Sequence, residues 1–244
     1  MKLRMLSLAA GVMLVAGAVL TFSASVPAQA KELSKQDIEQ IVHDYILNHP
    51  EVLVQAGEKI KQQAEAKAKA EKTNALKELL ANGAIPTSGP ADATHTIVEF
   101  FDYNCGYCKR AKPVFMQVLN KYPKTKYVYV EFPILSDISG KAARIGLALY
   151  QMDPAKYVEY HNELMTRQGR LSDEITLQAL VEKLGFKWDE VKALSEKPEV
   201  GELIRQIRVY AQKMEVTGTP AFIIDGQELH GAPTDISAVE ALLK

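Results

Sequence analysis

A near-continuous apolar run, Thr96-Ile97-Val98-Glu99-Phe100-Phe101, gives way within four residues to Cys105-Gly106-Tyr107-Cys108 and then to a helical stripe at Val114, Phe115, Val118 and Leu119. A run of this kind suits a strand buried on both faces, and the change of period marks a strand-to-helix junction. A second run, Tyr127-Val128-Tyr129-Val130-Glu131-Phe132, follows the helix. Strand, helix, strand in this order predicts a right-handed parallel crossover. The pattern therefore commits this part of the chain to an α/β domain with the only two cysteines of the sequence at the first turn of a helix. Thiols so spaced close a small disulfide, and the helix N-terminus favours the thiolate of the first.

The beginning of the chain reads differently. Lys2 and Arg4 precede an apolar stretch from Met5 to Leu20, and Ala28-Gln29-Ala30 offers a small-x-small cleavage pattern. The stretch is shorter than the ~20 residues of a spanning helix, so residues 1–30 are expected to be a signal peptide cleaved after Ala30 rather than an anchor. Export, to the periplasm, places Cys105 and Cys108 where disulfides persist. A purely structural bridge there would be weak, because stabilisation by a cross-link grows with the loop it closes. The net charge of −1 gives no electrostatic case for binding nucleic acid.

Residues 31–244 are long enough for one well-buried core plus an accessory element. Ser34 stands before Ile38, Ile41, Val42, Tyr45 and Ile46, a capped amphipathic helix that His49-Pro50 interrupts. Val52, Leu53, Ala56 and Ile60 give the next helix a short apolar seam, after which residues 61–72 are almost entirely Lys, Gln, Ala and Glu. High helix propensity with little to bury describes an arm, ended by Leu76, Leu79 and Leu80 before Asn82-Gly83. Residues 31–84 are expected to be a helical region, either a solvated linker helix or an oligomerisation region, since so weak a seam cannot sustain a long coiled coil. Pro86 to Pro90 reads as punctuation at the boundary, and residues 85–244 form the second domain. Within it, residues 139–214 are helical with breaks at Asp153-Pro154, Gly169, Gly185 and Pro198, too long for one connection and expected as an inserted helical subdomain. Ala221 to His230 reads as a β-hairpin about Asp225-Gly226, and a last helix carries Ile236, Val239, Leu242 and Leu243.

Glu99-Phe100-Phe101 with Cys105-Gly106-Tyr107-Cys108, and Thr219-Pro220 before the hairpin, resemble the signature and the cis-proline element of the DsbA-like branch of the thioredoxin superfamily, over roughly residues 95 to 244. The segment from Ile38 to Leu53 resembles the leader region of the ScsC-like members, which are exported and oligomeric. The resemblance implies an α/β thioredoxin fold with an inserted helical subdomain, preceded by an N-terminal helical arm. It implies a protein disulfide oxidoreductase or isomerase without a cofactor beyond the Cys105–Cys108 disulfide. Its expected partners are unfolded or misfolded cysteine-containing secreted proteins, a membrane redox partner of DsbB or DsbD type, and further copies of itself in a dimer or trimer.

By the same resemblance Cys105 is the attacking sulfur, Cys108 the resolving thiol, and Thr219, Pro220 and Gly218 contact substrate. Glu99 stands in an apolar strand where an unpaired carboxylate is expensive. The resemblance implies a buried acid of raised pKa that relays a proton to Cys108, with Lys126 as a poorly aligned partner. Tyr107 is a candidate substrate contact, and with Tyr103 it would form an apolar lip beside the motif. Gly106-Tyr107 resembles the dipeptide of DsbC-type isomerases and offers no cation, so less thiolate stabilisation is expected than a histidine there would give. The rival reading is a copper- or zinc-binding periplasmic protein using the same two thiols. His43, His49, His95, His161 and His230 show no supporting spacing and are expected at the surface or satisfied in the core.

Overall fold

The computed structural model describes residues 32–243. The signal peptide expected over residues 1–30 lies outside the described residues. The chain divides after Gly57 into two compact units.

In the first unit, α1 (Lys35–Asn48) begins with a reciprocal cap: Ser34 Oγ accepts from the Asp37 amide at 3.2 Å, and the Asp37 carboxylate accepts from the Ser34 amide at 3.0 Å. No residue of α1 is buried, and Ile38, Ile41, Val42 and Tyr45 are each about half exposed. Helix α2 (Glu51–Ala81) starts in this unit and continues into the second, where Ala75 and Leu79 are buried. The end of the arm is therefore part of the second unit's core, because the leucines that finish the helix have an apolar surface to meet there.

The second unit is built on a five-stranded sheet ordered β1 (Thr87–Ser88), β3 (Thr125–Glu131), β2 (His95–Phe101), β4 (Ala221–Ile224), β5 (Gln227–Leu229). Strands β2 and β3 are parallel, with Ile97 opposite Tyr127, and β4 runs antiparallel to β2 with Ile97 opposite Ile224. Strand β1 is a departure from the expected punctuation at Pro86 to Pro90. It covers the outer edge of β3, and the Pro86 carbonyl accepts from the Tyr129 amide at 2.8 Å; an open edge would leave such groups unpaired.

Alternation along the strands sorts the core into two halves. Ile97, Phe101, Tyr127 and Phe222 face one cluster, with Val114, Phe115 and Val118 of α3 (Gly106–Lys121). Val98, Phe100, Val128 and Ile223 face the other, with Leu79 of α2 and Ile207 of α8 (Pro198–Lys213). Glu99 has the parity of Ile97 and Phe101 and so lies under α3.

Between β3 and β4 the chain runs through α4 (Asp137–Met152), α5 (Pro154–Thr166), α6 (Glu174–Lys183), α7 (Trp188–Ser195) and α8. The breaks fall where proline and glycine put them. Asp153 closes one helix and caps the next, accepting from the Ala155 and Lys156 amides, with Pro154 in the first turn. Gly185 has φ of +92°, a conformation that ends α6 and that side chains with a Cβ rarely adopt. The final helix is only one turn, α9 (Ser237–Glu240), with Val239 buried. No helix among the described residues is long and apolar enough to cross a membrane.

Candidate functional site

Where β2 ends, Asp102 is buried and organises the turn into α3. Its carboxylate accepts from the amides of Asn104, Ile134 and Leu135 and from Ser139 Oγ, and its carbonyl accepts from the Cys105 amide at 2.9 Å. Cys105 is thereby left as the N-cap of α3, its Sγ accepting from the Cys108 amide at 3.2 Å. As a thiol, Cys105 donates to the Thr219 carbonyl at 3.3 Å. The Thr219–Pro220 peptide is cis, and the loop holding it faces the cysteine across the site.

Both cysteines are free thiols in different surroundings. The hydrogen bond from Cys108, with smaller contributions from Thr219 and the amides of Cys108 and Tyr107, lowers the Cys105 pKa to about 6 against the opposing effect of burial. Burial, the hydrogen bond to Cys105 and the charge of Glu99 push Cys108 strongly the other way. The pair thus separates into a ready thiolate and a thiol that holds its proton, the division of labour that exchange chemistry requires.

Glu99 is 2% exposed and accepts from the Tyr127 hydroxyl at 2.6 Å. Burial raises its pKa to about 7, opposed by that hydrogen bond and by the charge of Lys112. Lys126 is not the partner, as its place in β3 is opposite Thr96, at the far end of the strand. The nearby cation comes instead from α3: Lys112, 5% exposed, places its Nζ 5.9 Å from the rings of both Tyr127 and Tyr129. Sequence reasoning missed Lys112 and Tyr127. The signal was a lysine one turn after Cys108 on the buried stripe of α3, where a charge without a partner would be costly.

Tyr103 departs from the expected lip. It is buried, and its hydroxyl donates at 2.7 Å to Glu131, a second buried acid that also accepts from Tyr157 at 3.1 Å. Burial raises the Glu131 pKa well above the usual carboxylate range. Gly146 of α4 makes room for it, since a Cβ there would sit 2.9 Å from Glu131 Oε1. Tyr107 does stand at the surface, 61% exposed, with the Arg110 guanidinium 4.0 Å from its ring centre. Gly218 is exposed on the loop before the cis peptide, and Thr219 and Pro220 are half-buried.

His161 also departs from expectation. It is fully buried on α5 with neither ring nitrogen hydrogen-bonded, set edge-on against Phe101 at 4.6 Å and Tyr129 at 4.7 Å. Burial and the Lys112 charge hold it neutral, well below the usual histidine range. His95 pairs with Asp225, while His43, His49 and His230 are exposed. Among the described residues no group of three or more His, Cys, Asp or Glu is arranged to hold a metal.

Residues 96–243 match the DSBA-like thioredoxin domain, and residues 35–67 match the copper resistance protein ScsC N-terminal domain. A thioredoxin-like oxidoreductase from Silicibacter pomeroyi DSS-3 is 32% identical, with 67% of this chain and 92% of that one covered and a TM-score of 0.62. The thiol-disulfide exchange protein alpha-DsbA2 from Wolbachia pipientis is 30% identical, covering 73% and 95%, with a TM-score of 0.63. Na(+)/H(+) antiporter NhaA 3 of Salinispora tropica is 29% identical over 155 residues, which are 63% of this chain and 23% of that protein, so the chain spans about a quarter of this curated relative. With residues 96–243, more than half of its length, matched, the chain belongs to the DSBA-like thioredoxin domain family.

Proposed function

We propose that the chain is an exported, periplasmic thiol-disulfide oxidoreductase that forms or rearranges disulfides in secreted proteins through Cys105 and Cys108. The observation that carries this reading is the opposed acidity of the two thiols, with the Cys105 pKa lowered to about 6 and that of Cys108 raised. In oxidation, a substrate thiolate attacks Cys105 Sγ of the disulfide and Cys108 leaves with the bonding electron pair. Glu99, half protonated near neutral pH, delivers the proton that Cys108 takes up. A second substrate thiolate then attacks the substrate sulfur of the mixed disulfide and releases Cys105 as a thiolate, leaving both cysteines reduced. Isomerisation uses the same Cys105, starting reduced. Thr219, Pro220, Gly218 and Tyr107 surround the sulfur as substrate contacts, and a membrane protein of DsbB or DsbD type would reset the cysteines.

A thiolate of pKa about 6 is less stabilised than that of the strong oxidant DsbA, at ~3.5. The reduced form gains correspondingly less, and equilibration with glutathione buffers is expected to give a potential below the ~−120 mV of DsbA; a value at or above it would refute the weaker oxidant. Reactivation of scrambled RNase tests the activity, and the Cys105→Ser variant should show none.

Residues 31–84 would assemble two or three copies, a reading supported by the half-exposed apolar face of α1. A second reading, metal binding by the same two thiolates, is favoured by the copper resistance description of the domain matched at residues 35–67. Titration of the reduced protein with copper(I), followed by thiolate absorbance, separates the two: a site filled at one ion per thiol pair in a protein that fails to reactivate RNase would favour metal binding.

A further inference from the structure

The head of α3 carries cations that the exchange chemistry does not use. Lys109 and Arg110 follow Cys105 by about one turn of the helix. Lys109 reaches across to the loop between α5 and α6, donating to the Arg167 carbonyl at 3.1 Å and to the Gly169 carbonyl at 2.7 Å. Asn104, on the other side of Cys105 in the chain, holds the same loop. It accepts from the Leu171 amide at 2.7 Å and donates to the Leu171 carbonyl at 3.0 Å. Residues 167–171 are thus fastened to both flanks of the reactive cysteine, and they carry Arg167 and Arg170, both exposed. Among the described residues none of Lys109, Arg110, Arg167 and Arg170 forms an ion pair: Lys109 bonds to carbonyls, and Arg110 lies over the Tyr107 ring. Burial and the Arg167 charge lower the Lys109 pKa, so these cations stand close enough to repel one another. Asp173, at the end of the loop, is engaged by Ser172 and Thr176 as the cap of α6. The whole chain has a net charge of −1, so the positive excess here is local.

We propose that this basic rim selects polypeptide substrates with acidic residues beside the cysteine that attacks Cys105. This rests on the disulfide-exchange reading and adds a substrate class to it. The occupant is an acidic stretch of chain because the cations are divided between α3 and the loop, so they meet a ligand extended over several residues better than a small anion. The attacking group is itself a thiolate. A cationic margin raises the local concentration of that thiolate and of the carboxylates that flank it, and it turns away a cysteine set among lysines. The rim is built from α3 and the α5–α6 connection, and is separate from the loop that carries the cis peptide.

The test removes the charge and varies the peptide. Two fluorescein-labelled peptides with serine in place of the cysteine, one flanked by aspartates and one by further serines, report binding by anisotropy on the full-length protein without any exchange reaction. The acidic peptide should bind about tenfold more tightly. That preference should vanish near ~1 M salt, where the screening length falls to ~3 Å. Arg167→Ser/Arg170→Ser, at two exposed positions, should abolish it, while Lys121→Ser/Lys124→Ser removes the same charge where α3 ends and should keep it. Equal binding of the two peptides by the wild type, a preference that survives Arg167→Ser/Arg170→Ser, or one lost equally in both double variants overturns the proposal. Reactivation of scrambled RNase by the wild type is measured separately: its absence, with the preference for the acidic peptide intact, refutes the redox reading and leaves the rim standing.

Discussion

Cys105 and Glu99 sit at opposite ends of a short chain of acidity. The Cys105 thiol is 4% exposed yet ionises easily, because its position at the head of α3 supplies donors that compensate for burial. Ultraviolet thiolate absorbance of the reduced protein should titrate with a midpoint near 6, and Cys105→Ser should remove that step. Glu99 carries a stability consequence as well as a kinetic one. Its folded pKa of about 7 exceeds its unfolded value of 4.5, so the folded state binds the extra proton and the stability this lends is complete below 4.5 and lost as the pH rises through 7. Glu99→Gln should flatten that loss, which amounts to about 3 kcal/mol, and slow disulfide exchange by about a hundredfold near neutral pH. Denaturant melts and stopped-flow exchange at several pH values check the two; unchanged kinetics across pH would count against the relay. The acid itself was legible as a carboxylate in an apolar strand. Its neighbours were not, because Lys112 and Tyr127 reach it from different elements and only the packing of α3 over β3 brings them together.

Periodicity, caps and punctuation located most of the elements, since α3, the breaks at Asp153-Pro154, Gly185 and Pro198, and the β4–β5 hairpin each carry a local signal. What has no local signal is β1, whose two residues are a strand only because β3 needs an edge partner. The buried ring of His161 is likewise invisible to pattern reading, since α5 presents it among Tyr157, Tyr160 and Leu164 on a face that is otherwise apolar or aromatic. An imidazole with no hydrogen bond costs about 1–3 kcal/mol, so His161→Phe should raise stability. The gain should grow in acid. The folded pKa of His161 lies below the unfolded 6.5, so the unfolded chain takes the proton first and stability is lost as the pH falls below 6.5. Denaturation midpoints of the wild type and His161→Phe should therefore diverge from pH 8 down to pH 5, and parallel curves would mean that the ring finds a partner in solution.

For the whole molecule, the informative cut is within α2. Removing the arm as far as residue 82 would take Ala75 and Leu79 out of the core of the second unit, confusing loss of assembly with loss of fold. Deleting residues 31–57 removes α1 and the start of α2 while keeping those side chains. Light scattering should then give a monomer mass with unchanged thermal stability, where the full chain gives a multiple of it; an unchanged mass would end the assembly role of this segment. Asp102 bears on the molecule's behaviour in another way. One carboxylate fastens the segment entering the reactive helix, the stretch after β3 and the first turn of α4. These three pieces of chain meet at one carboxylate, so Asp102→Ala should loosen them together, and the sulfur would then be unveiled by a concerted loosening instead of by gradual fraying.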